Sequence, residues 1–233
     1  MNIAVYSGSF NPLHIGHLAI MKHLLEVAGF DMVYLVVSPK NPLKDSISSD
    51  SGLERYKAAV EAVNRHFNMA SSRTADCGDD MPHPAINRER SDKCSSGSLQ
   101  RAAGAGGIGT TAALEDAKVK VDDIELTMPE PHYTIRTLDA LKAREPENIF
   151  TLVMGADNLA DIRRWKEYSR ILTDYGTAVF PRKGLKLTQI RRDLLNENPA
   201  YRIQILDAEM VDVSSTQIRE AIADGRDTSH LLM

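Results

Sequence analysis

Two histidines, His14 and His17, stand in the segment Gly8-Ser9-Phe10-Asn11-Pro12-Leu13-His14-Ile15-Gly16-His17-Leu18. Imidazoles three apart at a helix start lie on one face and can send hydrogen bonds into one pocket. The segment follows the apolar run Ile3-Ala4-Val5-Tyr6 and leads into a helical pattern from Leu18 to Val27. A turn between a buried strand and a helix is where open α/β sheets bind ligands. The helix directs its free N–H groups and positive dipole end at that point, which suits phosphate. Gly8 is expected to let the main chain approach the ligand closely. An isolated H-x-x-H would read as two surface histidines. The flanking strand and helix favour the anion site.

A second cluster lies near the other end, Val213-Ser214-Ser215-Thr216-Gln217-Ile218-Arg219. Ser214 and Gln217 have the spacing of a capping box. A cap and a phosphate site are compatible, because both use one helix N-terminus. Arg219, one turn on, carries a planar fork suited to a β- or γ-phosphate. Between the two clusters, Leu152-Val153-Met154 runs into Gly155-Ala156-Asp157. Asp157 at a strand end can accept from ribose hydroxyls or orient a basic group. Trp165, the only tryptophan, offers either a flat face for a planar ring or a core anchor. Thr134 reads as a helix N-cap. Lys44 and Arg55 are phosphate ligands or solvated charges.

These residues need a scaffold, and strands alternate with helices along the chain. Strands are expected at Asn2–Ser7, Met32–Val37, Val119–Leu126, Ile149–Met154, Thr177–Pro181 and Tyr201–Leu206. Helices are expected at Gly16–Ala28, Leu53–Phe67, Ile135–Arg144, Leu187–Asn196 and Thr216–Ala223, with an irregular helical stretch from Asn158 to Leu172. Repeated β–α units predict an α/β fold: a Rossmann-like, doubly wound, mostly parallel sheet with helices on both faces. Residues 70–117 break the pattern. They are rich in Ser, Gly, Ala and Arg, without apolar periodicity, and read as a flexible insertion in a single domain spanning 1–233. Gly104-Ala105-Gly106-Gly107-Ile108-Gly109 matches G-x-G-x-x-G, but no strand precedes it, so the match is taken as accidental. Cys77, His83 and Cys94 fit no familiar zinc spacing, and no protein-held metal is expected.

Composition narrows the class. The chain has 233 residues, 42% hydrophobic and 26% charged, with net charge −4. That charge leaves no electrostatic footprint for nucleic acid. No apolar run reaches the length of a membrane span. Only two cysteines occur, which fits a reducing cytoplasmic setting. The sequence leaves a homo-oligomer open.

The first segment resembles the GxFxPxHxGH element of the nucleotidylyltransferase superfamily, and the Ser214–Arg219 segment resembles its second, C-terminal element. Two elements in the right order, at opposite ends of a domain-sized chain, are far more specific than either alone. Gly155-Ala156-Asp157-Asn158-Leu159 with Trp165 resembles the GADxL…W element of the nicotinate (or nicotinamide) mononucleotide adenylyltransferases. Pro131-His132-Tyr133-Thr134-Ile135-Arg136-Thr137-Leu138 is similar to their S-Y-T-x-x-T-L element, and Ser38-Pro39-Lys40-Asn41-Pro42-Leu43-Lys44 to a P-x-x-x-P-x-K loop followed by Arg55. Phe180-Pro181-Arg182-Lys183-Gly184 is like a strand-end R-x-G.

The resemblance implies transfer of AMP from ATP to nicotinate mononucleotide, with Mg²⁺ carried on the ATP phosphates. It implies that His14, His17, Lys44 and Arg219 carry the chemistry. It implies an ATP site of Gly8, Ser9, Phe10, His14, His17, Gly155, Asp157, Arg182, Ser214, Ser215, Thr216 and Arg219. Asn11, Lys44, Arg55, Tyr133, Thr134, Asp157 and Trp165 are implied for the mononucleotide. The chain departs from the pattern in its 70–117 stretch, in His132 where serine is usual, and in stopping at Met233, where family members normally continue into a final helix. The alternatives are a relative acting on phosphopantetheine or, with CTP, on glycerol phosphate, and a non-catalytic nucleotide-binding module.

Overall fold

The structure, a computed structural model, describes residues 1–39, 51–68, 118–208 and 213–233. Among them a six-stranded sheet forms from β1 (Asn2–Gly8), β2 (Met32–Val37), β3 (Val119–Asp122), β4 (Ile149–Gly155), β5 (Thr177–Phe180) and β6 (Ile203–Ile205), in the order β3-β2-β1-β4-β5-β6. Each neighbouring pair is parallel. The chain starts in the middle, winds outward to β3, then returns to β4 and winds outward the other way. The direction of winding reverses between β1 and β4, and ligands bind outside the strand ends at such a point.

The strands are buried on both faces, so they read as near-continuous apolar runs. Successive side chains alternate between two cores. Ile3 and Val5, with Phe150, Leu152 and Met154, face the core that includes Ile135, Leu138 and Leu141 of α4 (Thr134–Arg144) and Leu194 of α7 (Leu187–Glu197). Ala4 and Tyr6, with Val33, Leu35 and Val37, face the core that includes Met21 and Leu24 of α1 (Ile15–Glu26) and Ala59, Ala62 and Val63 of α2 (Gly52–Val63). The expected doubly wound architecture is the observed one.

Several boundaries differ from expectation: β6 is shorter at both ends than the expected Tyr201–Leu206, and the helix expected to reach Phe67 ends at Val63, before a π-helical turn at Asn64–Asn68. The strand expected over Val119–Leu126 stops at Asp122, and α3 (Ile124–Thr127) follows. The side chain of Asp122 accepts the Ile124 N–H at 3.1 Å and turns the chain out of the sheet. Helix α1 ends two residues before Ala28, where the N–H groups of Val27 and Ala28 both return to the His23 carbonyl and Gly29 takes φ +79°. The irregular stretch resolves into α5 (Ala156–Ala160), a 3₁₀ turn at Ile162–Arg164, α6 (Tyr168–Arg170) and a π-helical turn at Ile171–Tyr175. Residues 70–117, with the glycine motif, Cys77, His83 and Cys94, lie outside the described residues.

Candidate active site

The crevice at the β1–β4 reversal is built first from the turn after β1. Phe10 sits in the left-handed region, φ +43°. For a bulky residue this is strained by roughly 1–3 kcal/mol and persists only where packing enforces it. The packing is present: the Phe10 ring is buried, edge-on to Tyr6 at 5.4 Å and to His17 at 5.2 Å between centroids. A Cβ on Gly8 would meet that ring at 3.1 Å. The absence of a Cβ on Gly8 leaves room for the Phe10 ring.

The histidines cap their own helix. His14 is the N-cap of α1, and its Nδ1 accepts the Gly16 N–H at 3.2 Å. The Nδ1 of His17 accepts the His14 N–H, also at 3.2 Å. The two rings lie 3.7 Å apart between centroids. Burial pulls His14 down to about 4, with the Arg182 charge adding to the effect. Burial, then His14, then Arg182 hold His17 well below the usual imidazole range. Both rings are thus neutral near pH 7. Because each Nδ1 accepts a main-chain N–H, this hydrogen-bond network assigns the remaining proton to Nε2. The pair offers two neutral Nε2–H donors.

The C-terminal cluster closes onto the same turn. Ser214 caps α8 (Ser215–Ala223), taking the Gln217 N–H, while the Gln217 side chain accepts the Ser214 N–H at 2.9 Å. The expected capping box is present. Ser215 Oγ donates to the Pro12 carbonyl at 3.2 Å. Arg219 donates from Nη1 to the Asn11 carbonyl at 2.6 Å and from Nη2 to Thr216 Oγ1 at 3.1 Å. Residues about two hundred apart in sequence are joined at one turn, with the N-terminus of α8 beside the histidine loop.

The end of β4 meets Arg182, which lies close enough to the histidine turn for its charge to act on both imidazoles. A Cβ on Gly155 would lie 2.3 Å from Asp157 Oδ1 and 3.3 Å from Arg182 Nε, so only glycine leaves this pair in place. Asp157 and Arg182, both half-exposed, approach to 3.6 Å, and Arg182 lies over the Phe180 ring. Tyr133, 38% exposed, is the N-cap of α4, without a side-chain cap bond. Thr134, expected as the cap, is instead the first helical residue, and the Tyr133 side chain makes no cap bond to the start of α4. Trp165 follows the 3₁₀ turn in extended conformation rather than lying on a helix, partly buried against the α4 core, with Nε1 buried. His132 Nδ1 is likewise buried, and neither of these two nitrogens has a hydrogen-bond partner among the described residues.

Lys44 lies outside the described residues. Arg55 is 6% exposed. Its Nη1 donates to the carbonyls of Ser9 at 2.5 Å and Ser38 at 2.8 Å, and its Nη2 to that of Pro39 at 2.8 Å. Sequence reasoning missed Glu125, 3% exposed. Its carboxylate accepts from Ser38 Oγ at 2.5 Å, Thr137 Oγ1 at 2.8 Å and Ser7 Oγ at 3.4 Å. Glu125 fell within an expected strand, and nothing in its local sequence distinguishes it from a surface acid.

Comparison with known proteins gives the family and the fold. The cytidylyltransferase-like family model matches residues 5–94 and 109–221. A Flavobacterium psychrophilum protein named "Probable nicotinate-nucleotide adenylyltransferase" is 32% identical over all of this chain and 92% of its own length. A Flavobacterium johnsoniae protein of the same name is 30% identical with the same coverage. In structure, the chain superposes on Plasmodium falciparum nicotinic acid mononucleotide adenylyltransferase, complexed with NaAD, with a TM-score of 0.62 at 16% identity. That match covers 98% of this chain and 87% of the other, and shows a shared fold. With both the turn after β1 and the crevice at the end of β4 in place, the chain belongs to the cytidylyltransferase-like family, among its nicotinate-nucleotide adenylyltransferases.

Proposed function

We propose that the protein transfers AMP from ATP to the 5′-phosphate of nicotinate mononucleotide, giving nicotinate adenine dinucleotide and pyrophosphate in NAD biosynthesis. The observation that carries this reading is the pair of neutral Nε2–H donors of His14 and His17 at the β1–β4 reversal, beside the N-terminus of α8. A mononucleotide phosphate oxygen attacks the α-phosphorus of ATP. The bond from that phosphorus to the oxygen bridging to the β-phosphate breaks, and its electrons leave on pyrophosphate. The nucleophile is already anionic, so no general base is needed. The protein's work is alignment and stabilisation of charge. His14 and His17 donate to the α-phosphoryl oxygens. Arg219 and the α8 N-terminus hold the β- and γ-phosphates, with Ser214, Ser215 and Thr216 forming that end. Gly8, Ser9 and Phe10 shape the turn, Gly155 and Asp157 border the ribose, and Arg182 borders the adenosine.

Tyr133, Thr134 and Trp165 border the pyridine ring, with Asn11 and Lys44 toward the mononucleotide phosphate. The N–H donors at the turn fit phosphate oxygens rather than a cation, so Mg²⁺ fits as a partner of the ATP phosphates, where it neutralises their charge. The names carried by relatives at 30–32% identity support the nicotinate acceptor. We place the enzyme in the cytoplasm on its low cysteine content. Among the described residues, no helix is long and apolar enough to cross a membrane.

The test is a coupled pyrophosphate assay with ATP–Mg²⁺ and nicotinate mononucleotide, nicotinamide mononucleotide or phosphopantetheine, and with CTP and glycerol phosphate. Release that is fastest with nicotinate mononucleotide is expected. Release only with phosphopantetheine or with the CTP pair overturns the acceptor, and no release with any acceptor overturns catalysis.

A further inference from the structure

Two oppositely charged side chains, Arg55 and Glu125, are buried beneath the crevice and meet at one residue, Ser38. The Ser38 carbonyl accepts from Arg55, its hydroxyl donates to Glu125, and its N–H donates to the Gly8 carbonyl at 2.9 Å. From this node Arg55 reaches the Ser9 carbonyl in the turn after β1 and the Pro39 carbonyl in the loop after β2. Glu125 reaches Ser7 at the end of β1 and Thr137, one turn into α4 and 1% exposed. Ser7 Oγ and Ser38 Oγ are themselves 3.1 Å apart. Burying a charge is costly unless hydrogen bonds compensate it, and Ser7, Ser9, Ser38, Pro39 and Thr137 are among the groups that do so here.

We infer that Arg55 and Glu125 are positioning residues, a buried brace that sets the phosphate-binding turn after β1 at a fixed distance from the loop after β2 and the start of α4. The inference rests on the adenylyltransferase reading for its kinetic part only. Arg55 directs Nη1 and Nη2 at main-chain carbonyls, and a positioning role is the alternative to the ligand role suggested by its place in sequence. The brace joins the turn that holds ATP phosphates to the helix start that borders the acceptor. A misalignment of about 1 Å between two reactants can cost about a hundredfold in rate, so the brace acts on turnover more than on either substrate's affinity.

The test uses the full chain with Arg55→Lys, Glu125→Gln and the double variant. A lysine ammonium cannot span the carbonyls of Ser9, Ser38 and Pro39 as a fork does. Glutamine keeps the shape of Glu125 and loses its charge. Amide hydrogen exchange, which needs no activity, is read first. Faster exchange is expected at the Ser38 N–H in both single variants. Unchanged exchange there overturns the brace, even if the protein proves inactive toward nicotinate mononucleotide.

With the wild type active, kcat is expected to fall about tenfold to a hundredfold in each single variant, with both KM values within about threefold. The double variant should be about as slow as the slower single one, because both act through Ser38. A KM for ATP or mononucleotide raised tenfold in Arg55→Lys, with kcat kept, would make Arg55 a ligand. A lower Tm with unchanged kcat and KM would make the pair a stability element only. Either result overturns the positioning role.

Discussion

In the proposed reaction, His14 and His17 combine structural and chemical roles in the same rings. Each uses Nδ1 to hold the start of α1, which leaves Nε2–H as the donor that the proposed reaction uses. His17→Ala should therefore lower kcat by about two to three orders of magnitude, the usual cost of removing one donor to a developing charge. Steady-state pyrophosphate release checks this, and a kcat within threefold of wild type would remove His17 from the chemistry. The neutral state is separately testable. A titration of the imidazole signals by NMR should place the His14 midpoint near 4, and a midpoint near 6.5 would contradict the buried, neutral ring.

The sign for stability follows from the same depression. An unfolded imidazole takes up its proton near pH 6.5, whereas folded His14 does so near 4. Between these values the unfolded chain binds more protons, so stability falls as pH drops from about 6.5 toward 4. His14→Asn keeps an acceptor for the cap and should lose less Tm across that window than wild type does. Trp165→Ala should raise the mononucleotide KM about threefold to tenfold, since ring stacking contributes roughly 0.5–1.5 kcal/mol beyond buried area. It should also lower Tm, because the indole packs on the α4 core. Tm loss with an unchanged KM would make it an anchor alone.

At the scale of elements, the candidate site is built from helix starts. α1 and α8 are capped by their own side chains and meet at the Asn11–Pro12 turn, whereas α4 begins at Tyr133 without such a cap. The N–H groups and the dipole at the start of α4 favour a carboxylate over a neutral amide. The enzyme should therefore show a kcat/KM at least tenfold higher for nicotinate than for nicotinamide mononucleotide. Equal values would show that α4 does not read the acid.

These elements were legible to different degrees. The α8 capping box is a local pattern, and Ser214 with Gln217 predicted it correctly. Thr134 was misplaced by one residue as a cap, because a polar side chain at a helix start says nothing about which neighbour takes the extended conformation. The strand assigned through Leu126 failed for a related reason. Its alternation is compatible with a strand, but Asp122 turns the chain by bonding its own downstream N–H.

At the scale of the molecule, the crevice exists because the winding reverses between β1 and β4. Chemistry-bearing segments from opposite ends of the chain converge there, and the bonds of Ser215 and Arg219 to the turn after β1 record it. The family model skips residues 95–108 between its two matched stretches, the part of the expected insertion richest in Gly, Ala and Ser. Removing 95–108 should leave kcat/KM within about threefold and Tm nearly unchanged, because shortening a connector alters closure entropy only modestly. A deletion variant that stays folded but loses more than tenfold in kcat/KM would assign that stretch a part in the reaction.

The sequence by itself determined the alternation of strands and helices, the strand–turn–helix that carries His14 and His17, and the α8 cap. Each is written in residue type and short spacing, which local physics reads directly. Tertiary structure alone decided that Gly8 makes room for Phe10, that Arg55 faces inward, and that Glu125 joins β1, β2 and α4. These roles depend on which side chains meet across 46, 17, 87 or 118 positions of sequence. A buried charge is defined by the partners that compensate it, and those partners are brought together only when the sheet is assembled.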